Sequence, residues 1–116
     1  MIHPNEVLGE LRQPARDLRD LIPEVISGYA NMQRAAMADG ALTGGVKELI
    51  ALAIAVTREC DGCIAAHARG AARRGVTEEQ VAEAMGVAVM MNGGPGTVWA
   101  PRALAAFREM ALDEDS

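Results

Sequence analysis

Apolar and polar positions recur along this chain at helical spacing, and proline, glycine and capping residues interrupt them. In the first third, the pattern predicts a short helix that is capped by Asn5 and ends near Pro14. A second segment over residues 15–22 follows, and then a helix from Pro23 to about Ala38. No stretch shows the strict alternation typical of a half-buried strand.

The middle of the chain contains the most apolar segment. Thr43-Gly44-Gly45 precedes a predicted helix from Val46 to about Arg58, whose central sequence LIALAIAV is apolar on every side. A helix of this kind is expected to be central and buried all round.

The remaining pattern predicts three more helices. One runs from Cys60 to Arg74 and is closed by Gly75; the next starts at a capping box of Thr77 and Gln80 and runs to about Met91. Residues 92–96, NGGPG, predict a tight loop. A last helix starts at Pro101 or slightly earlier and ends in a frayed acidic tail over residues 113–116. We therefore predict an all-α fold of about five to six helices, in one domain over residues 1–116.

Composition adds an expectation about assembly. Hydrophobic residues make up 50% of the chain but aromatic residues only 3%, so the core is built from small aliphatic side chains. A chain of this length with few large side chains forms a thin core as a monomer. We expect apolar surface to be buried between subunits.

Charge and hydropathy narrow the class of partner. The net charge of −5 and the scattered basic residues argue against nucleic acid, and Arg69, Arg73 and Arg74 are interpreted as a solvated helix face. The N-terminal residues do not resemble a signal peptide, and the longest apolar run, residues 49–56, is too short to span a membrane. A cytoplasmic location is the expectation.

The two cysteines and one of the two histidines lie close together in the sequence REC DGC IAAH. On a helix, Cys60, Cys63 and His67 share an arc of about 60°. A helix N-terminus and a nearby imidazole both favour a thiolate, and the spacing allows a disulfide. These features indicate a dithiol redox centre. Two alternatives stay open: a coincidental pair of small buried residues, and a zinc site, although zinc prefers four ligands and His3 is remote in sequence.

Four positions carry a resemblance to a known family. The pattern of Glu48, Cys60, Cys63 and His67 resembles the signature of the alkylhydroperoxidase D-like branch of the carboxymuconolactone decarboxylase family. The flanking sequences VKELIALAIAVTREC and VMMNGGPGTVWAPRAL look like that family's preceding helix and Gly-rich loop. The resemblance extends over residues 20–110, nearly the whole chain.

The resemblance implies an all-α homotrimer or homohexamer that reduces hydroperoxides. Cys60 and Cys63 would be the redox pair, and Glu48 with His67 the proton relay. The partners implied are a hydroperoxide and an unidentified thiol or dithiol reductant, with no cofactor and no metal. The larger alkylhydroperoxidase D proteins have a histidine just before the second cysteine, where this chain has Gly62.

Two other functions compete with this hypothesis. One is a lactone-processing enzyme of the decarboxylase side of the family, whose members generally lack the paired cysteines. The other is a zinc-binding assembly module without catalytic activity. Within the dithiol reading, Cys63 lies one helical turn before His67, so we predict that Cys63 attacks the peroxide and Cys60 resolves the sulfenic acid.

Overall fold

The computed structural model describes residues 2–115, which fold into six helices and contain no strand. The helices are α1 (Pro4–Leu21), α2 (Pro23–Met37), α3 (Gly44–Thr57), α4 (Asp61–Arg73), α5 (Glu78–Asn92) and α6 (Gly94–Glu114). The prediction of an all-α fold with about five to six helices is confirmed. No helix within these residues is long and apolar enough to cross a membrane.

The core lies where α3, α4, α5 and α6 pack against one another, with the start of α1 along one side. Alanines supply many of its buried positions, and they let the helix axes approach closely because their side chains are short. The largest side chains buried completely in this core are Leu52, Ile64 and Val81.

Capping residues define most of the central helix ends. The Thr43 side chain accepts a hydrogen bond from the Val46 amide at the start of α3, and Thr77 and Gln80 form the expected capping box at the start of α5. Gly75 follows α4 with φ of 74°, a left-handed conformation that glycine adopts without strain. The predicted boundaries of these helices are confirmed to within one or two residues.

Two helix boundaries predicted at prolines are wrong, the end at Pro14 and the start at or slightly before Pro101. Pro14 lies inside the continuous helix α1, and Pro101 lies inside α6, which begins at Gly94. Both prolines are solvent-exposed, so water can satisfy the carbonyl group that each leaves without a donor.

The predicted loop over residues 92–96 shrinks to Gly93, whose φ is 67°. Gly96 belongs to α6 and is buried; a Cβ there would lie 2.9 Å from Cα of Val89. This glycine therefore allows the close approach of α5 and α6.

The acidic tail is helical as far as Glu114, and Nε of Arg73 lies 3.3 Å from Oε1 of Glu114. Ser116, the last residue of the predicted frayed tail, lies outside the described residues.

The expectation that α3 is buried all round is wrong for the single chain. Glu48, Leu52, Ala55 and Val56 face the core, whereas Val46, Ile50 and Ile54 leave an apolar stripe exposed. On α5 the exposed apolar side chains are Val87, Met90 and Met91. Among the described residues, α2 contributes no buried position at all.

Candidate redox site

The two cysteines meet at the start of α4. Cys60 is the N-cap residue of this helix, one position before the first turn in which the sequence pattern placed it. Its sulfur accepts a hydrogen bond from the Cys63 amide at 3.2 Å, and the two cysteines are joined as a disulfide with their Cα atoms 5.2 Å apart. A sulfur in this position interacts with the positive end of the helix dipole, which favours a thiolate when the pair is reduced.

Glu48 and His67 form a direct contact between α3 and α4. Oε2 of Glu48 lies 2.8 Å from Nδ1 of His67. An ionised carboxylate only accepts, so the hydrogen of this bond sits on Nδ1. The Nε2 atom of the same ring is then the nitrogen left with a lone pair that can accept a proton.

Burial makes the Glu48 carboxylate unusual in this protein. It is the one buried charged residue among residues 2–115, and the rest of the core is apolar. A buried charge needs a charged or hydrogen-bonding partner. Arg74 supplies a second one, because its Nε atom lies 3.9 Å from Oε1 of Glu48.

Gly70 makes room for this carboxylate on α4. A Cβ atom at Gly70 would lie 2.5 to 2.6 Å from the three carboxyl atoms of Glu48, well inside van der Waals contact. His67, Gly70 and Arg74 share one face of the helix, within an arc of about 60°. The Glu48 side chain therefore lies across a gap in α4 that only glycine leaves open.

Sequence reasoning missed both Gly70 and Arg74. The interpretation of Arg74 as part of a solvated face holds for its exposure but omits its partners, because its guanidinium pairs with Glu48 and with Asp39. A glycine one turn after His67 inside a helical pattern was the available signal, since an isolated helical glycine often has a packing reason.

Two cavities open beside the Glu48–His67 pair. One of about 280 Å³ ends at His67 and has an apolar wall formed by α2 side chains, among them Tyr29, Met32 and Met37. We call it the relay cavity. The other, of about 400 Å³, is lined by Glu48, Arg34 and Arg74. His67 therefore borders a depression that is open to solvent.

The zinc alternative has no ligand set in the described part of the chain. No group of three or more His, Cys, Asp or Glu side chains among residues 2–115 is arranged to hold a metal ion. His3 lies beside α6, with Nδ1 3.7 Å from Oε1 of Glu109.

Comparisons with known proteins agree with this fold. The sequence model of the carboxymuconolactone decarboxylase family matches residues 23–109. An uncharacterized protein of Cupriavidus necator is 40% identical over 86% of this chain and 88% of its own. Uncharacterized protein 4 in the cox locus of Paracoccus denitrificans is 42% identical over 89% of this chain and 86% of its own.

A solved structure shows the same architecture. The crystal structure of an apo carboxymuconolactone decarboxylase family protein from Legionella pneumophila matches with a TM-score of 0.90 at 36% identity. The match covers 93% of this chain and 96% of that chain.

Proposed function

The chain belongs to the carboxymuconolactone decarboxylase family, and within it we propose that this protein is a thiol-dependent peroxidase that reduces hydroperoxides through Cys60 and Cys63. One observation carries the proposal: a disulfide-forming pair at the N-terminus of α4 precedes, by one helical turn, a histidine that is bonded to a buried glutamate. A dithiol that turns over near neutral pH needs a thiolate and a group that moves its proton.

The first step oxidises Cys63. Its thiolate attacks one peroxide oxygen, the O–O bond breaks, and the cysteine becomes a sulfenic acid. The leaving alkoxide takes a proton and departs as an alcohol, or as water when the substrate is hydrogen peroxide. Cys63 is exposed, as an attacking thiol must be.

The second step forms the disulfide. The Cys60 thiolate attacks the sulfenic sulfur, the S–O bond breaks, and hydroxide leaves as water after protonation. The peroxide has then gained two electrons and the dithiol has lost them. An external thiol or dithiol returns these electrons by thiol–disulfide exchange and is itself left as a disulfide.

Glu48 and His67 form the proton relay in this scheme. His67 takes the thiol proton at Nε2, and the imidazolium that forms is stabilised by the Glu48 carboxylate bonded to Nδ1. The imidazolium then donates the proton to the leaving oxygen. No metal or cofactor takes part.

We further propose that the chain assembles as a homotrimer or homohexamer in the cytoplasm. The exposed stripe on α3 and the exposed apolar side chains of α5 support assembly, because Ile54 and Val87 line one shared apolar depression. A cytoplasmic location supplies the reducing thiols that the cycle needs.

Hydroperoxide consumption by the purified, reduced protein tests the function. We expect turnover of an organic hydroperoxide when a dithiol reductant is supplied, and no turnover by the variant in which both cysteines are serine. A wild-type protein that consumes no peroxide with either a monothiol or a dithiol reductant would overturn the proposal.

A further inference from the structure

Arg74 lies at the end of α4, two turns beyond His67 and outside the residues that carry the proposed chemistry. Its guanidinium is placed between two carboxylates. Nε lies 3.9 Å from Oε1 of Glu48, and Nη1 lies 3.8 Å from Oδ1 of Asp39. The Glu48 oxygen that faces Arg74 is the one that His67 does not bond.

The backbone around Arg74 is shaped to receive it. A Cβ atom at Gly44 would overlap the guanidinium group, so the first turn of α3 accommodates Arg74 only because residue 44 is glycine. The Gly44 amide donates a 2.6 Å hydrogen bond to Oδ1 of Asp39, the second partner of Arg74. Asp39 thus fixes the loop before α3 and the arginine together.

The partners of Glu48 differ in how their charge behaves. His67 carries a charge only while it is protonated, and a relay histidine must lose that proton in every cycle. Arginine stays charged throughout. Whenever His67 is neutral, Arg74 is the remaining cation within ion-pair distance of Glu48 among the described residues.

We propose that Arg74 is a positioning residue for the Glu48–His67 pair. It attracts Oε1 of Glu48, which keeps Oε2 directed at Nδ1 of His67 while the histidine gains and loses its proton. The inference rests on the proposed function, because the relay is the group that Arg74 positions. The Arg74 side chain is 37% exposed while that of Glu48 is 9% exposed. Removing the arginine therefore acts mainly by leaving the buried Glu48 carboxylate without a partner.

Substitutions at neighbouring arginines provide a matched experiment. Arg74→Gln should slow peroxide-driven disulfide formation about tenfold, the size of effect seen between residues in one charged network. Arg74→Lys should recover much of the loss, because it keeps the charge. Arg73→Gln removes the adjacent guanidinium, which pairs with Glu114 at the surface, and should change the rate less than about twofold.

A double-mutant cycle tests whether the substitution at Arg74 changes the rate through Glu48. If Arg74 acts through Glu48, then Arg74→Gln should change the rate less than about twofold in a Glu48→Gln background. A loss of similar size in both backgrounds would overturn the proposal, since Arg74 would then act on something other than Glu48.

The nitrogen NMR signals of the His67 ring separate this inference from the proposed function. In the wild type we expect the proton on Nδ1, and in Arg74→Gln a larger share of the other tautomer, with Arg73→Gln unchanged. Unchanged His67 signals in Arg74→Gln would refute the positioning role. If no protein, the wild type included, consumes peroxide but Arg74→Gln shows the expected NMR change, the peroxidase function is refuted and the positioning role is not.

Discussion

Oε2 of Glu48 on α3 lies 2.8 Å from Nδ1 of His67 on α4, although nineteen residues separate them in the chain. The contact joins the most apolar helix of the protein to the helix that starts at the cysteine pair. It joins two residues that are distant in sequence into one hydrogen-bonded pair.

The proposed proton relay can be tested at Glu48 with a variant of the same size. Glu48→Gln keeps the shape of the side chain and removes its charge, so we expect disulfide formation by peroxide to slow about a hundredfold, within the range of general acid–base effects. Glu83→Gln, on an exposed position of α5, is the control and should react at the wild-type rate. Rates come from stopped-flow mixing and thiol alkylation. Equal rates for all three proteins would remove Glu48 from the mechanism.

The cysteine pair should form its disulfide within one chain on mild oxidation. Cleavage by trypsin after Arg58 and Arg69 releases residues 59–69, which contain both thiols, so the oxidised peptide should lose two hydrogens in mass spectrometry. Persistently free thiols under a modest excess of peroxide would contradict the redox function.

The roles of the two cysteines should differ. Because Cys63 lies one turn from His67 and is exposed, the Cys60→Ser protein should accumulate a sulfenic acid at Cys63 after peroxide treatment. The Cys63→Ser protein should remain largely unlabelled by a sulfenic-acid probe. The opposite pattern would exchange the two roles, as the hydrogen bond from the Cys63 amide to the Cys60 sulfur would then dominate.

Gly70 should resist replacement although alanine is the better helix former. In Gly70→Ala the new methyl group overlaps the Glu48 carboxyl, and displacing that side chain should lower the free energy of unfolding by about 1–3 kcal/mol. Gly86→Ala is the matched control, because a Cβ there meets nothing within 4 Å, and it should raise stability by about 0.4–1 kcal/mol. Chemical denaturation measures both. A stabilised Gly70→Ala protein would show that Glu48 moves aside without loss.

Assembly should depend on the apolar stripe of α3. Light scattering should give three or six times the chain mass of 12.2 kDa. Ile54 is 57% exposed in the single chain, so Ile54→Glu would place a charge in the interface and should reduce the mass. Ala82→Glu, at an exposed position about 140° around α5 from Val87, should leave it unchanged. A wild-type mass near 12.2 kDa would contradict the assembly.

The fold was predictable from sequence where local chemistry determines a helix end. Thr43, Thr77 and Gly75 act on their own first or last turns, so their effects are visible within a few residues. The helix boundaries predicted at Pro14 and Pro101 were wrong because a proline in an exposed helix is tolerated when water replaces the lost hydrogen bond. Gly96 was predicted in a loop, but it lies in α6, where the absence of a side chain allows close contact with Val89.

The candidate site divides in the same way. The one-turn spacing of Cys60, Cys63 and His67 is a property of one helix and can be read from the sequence. The roles of Gly70 and Arg74 can be recognised only once α3 is known to place Glu48 against that face of α4. Such a relationship depends on how two helices pack, which periodicity does not specify.

The lack of buried positions on α2 has a consequence for substitutions on this helix. Its side chains wall the relay cavity beside His67, yet replacing them removes nothing from the core formed by α3 to α6 within the chain. In the proposed peroxidase, substitutions on α2 therefore change the wall beside His67 and leave the buried core of the single chain intact.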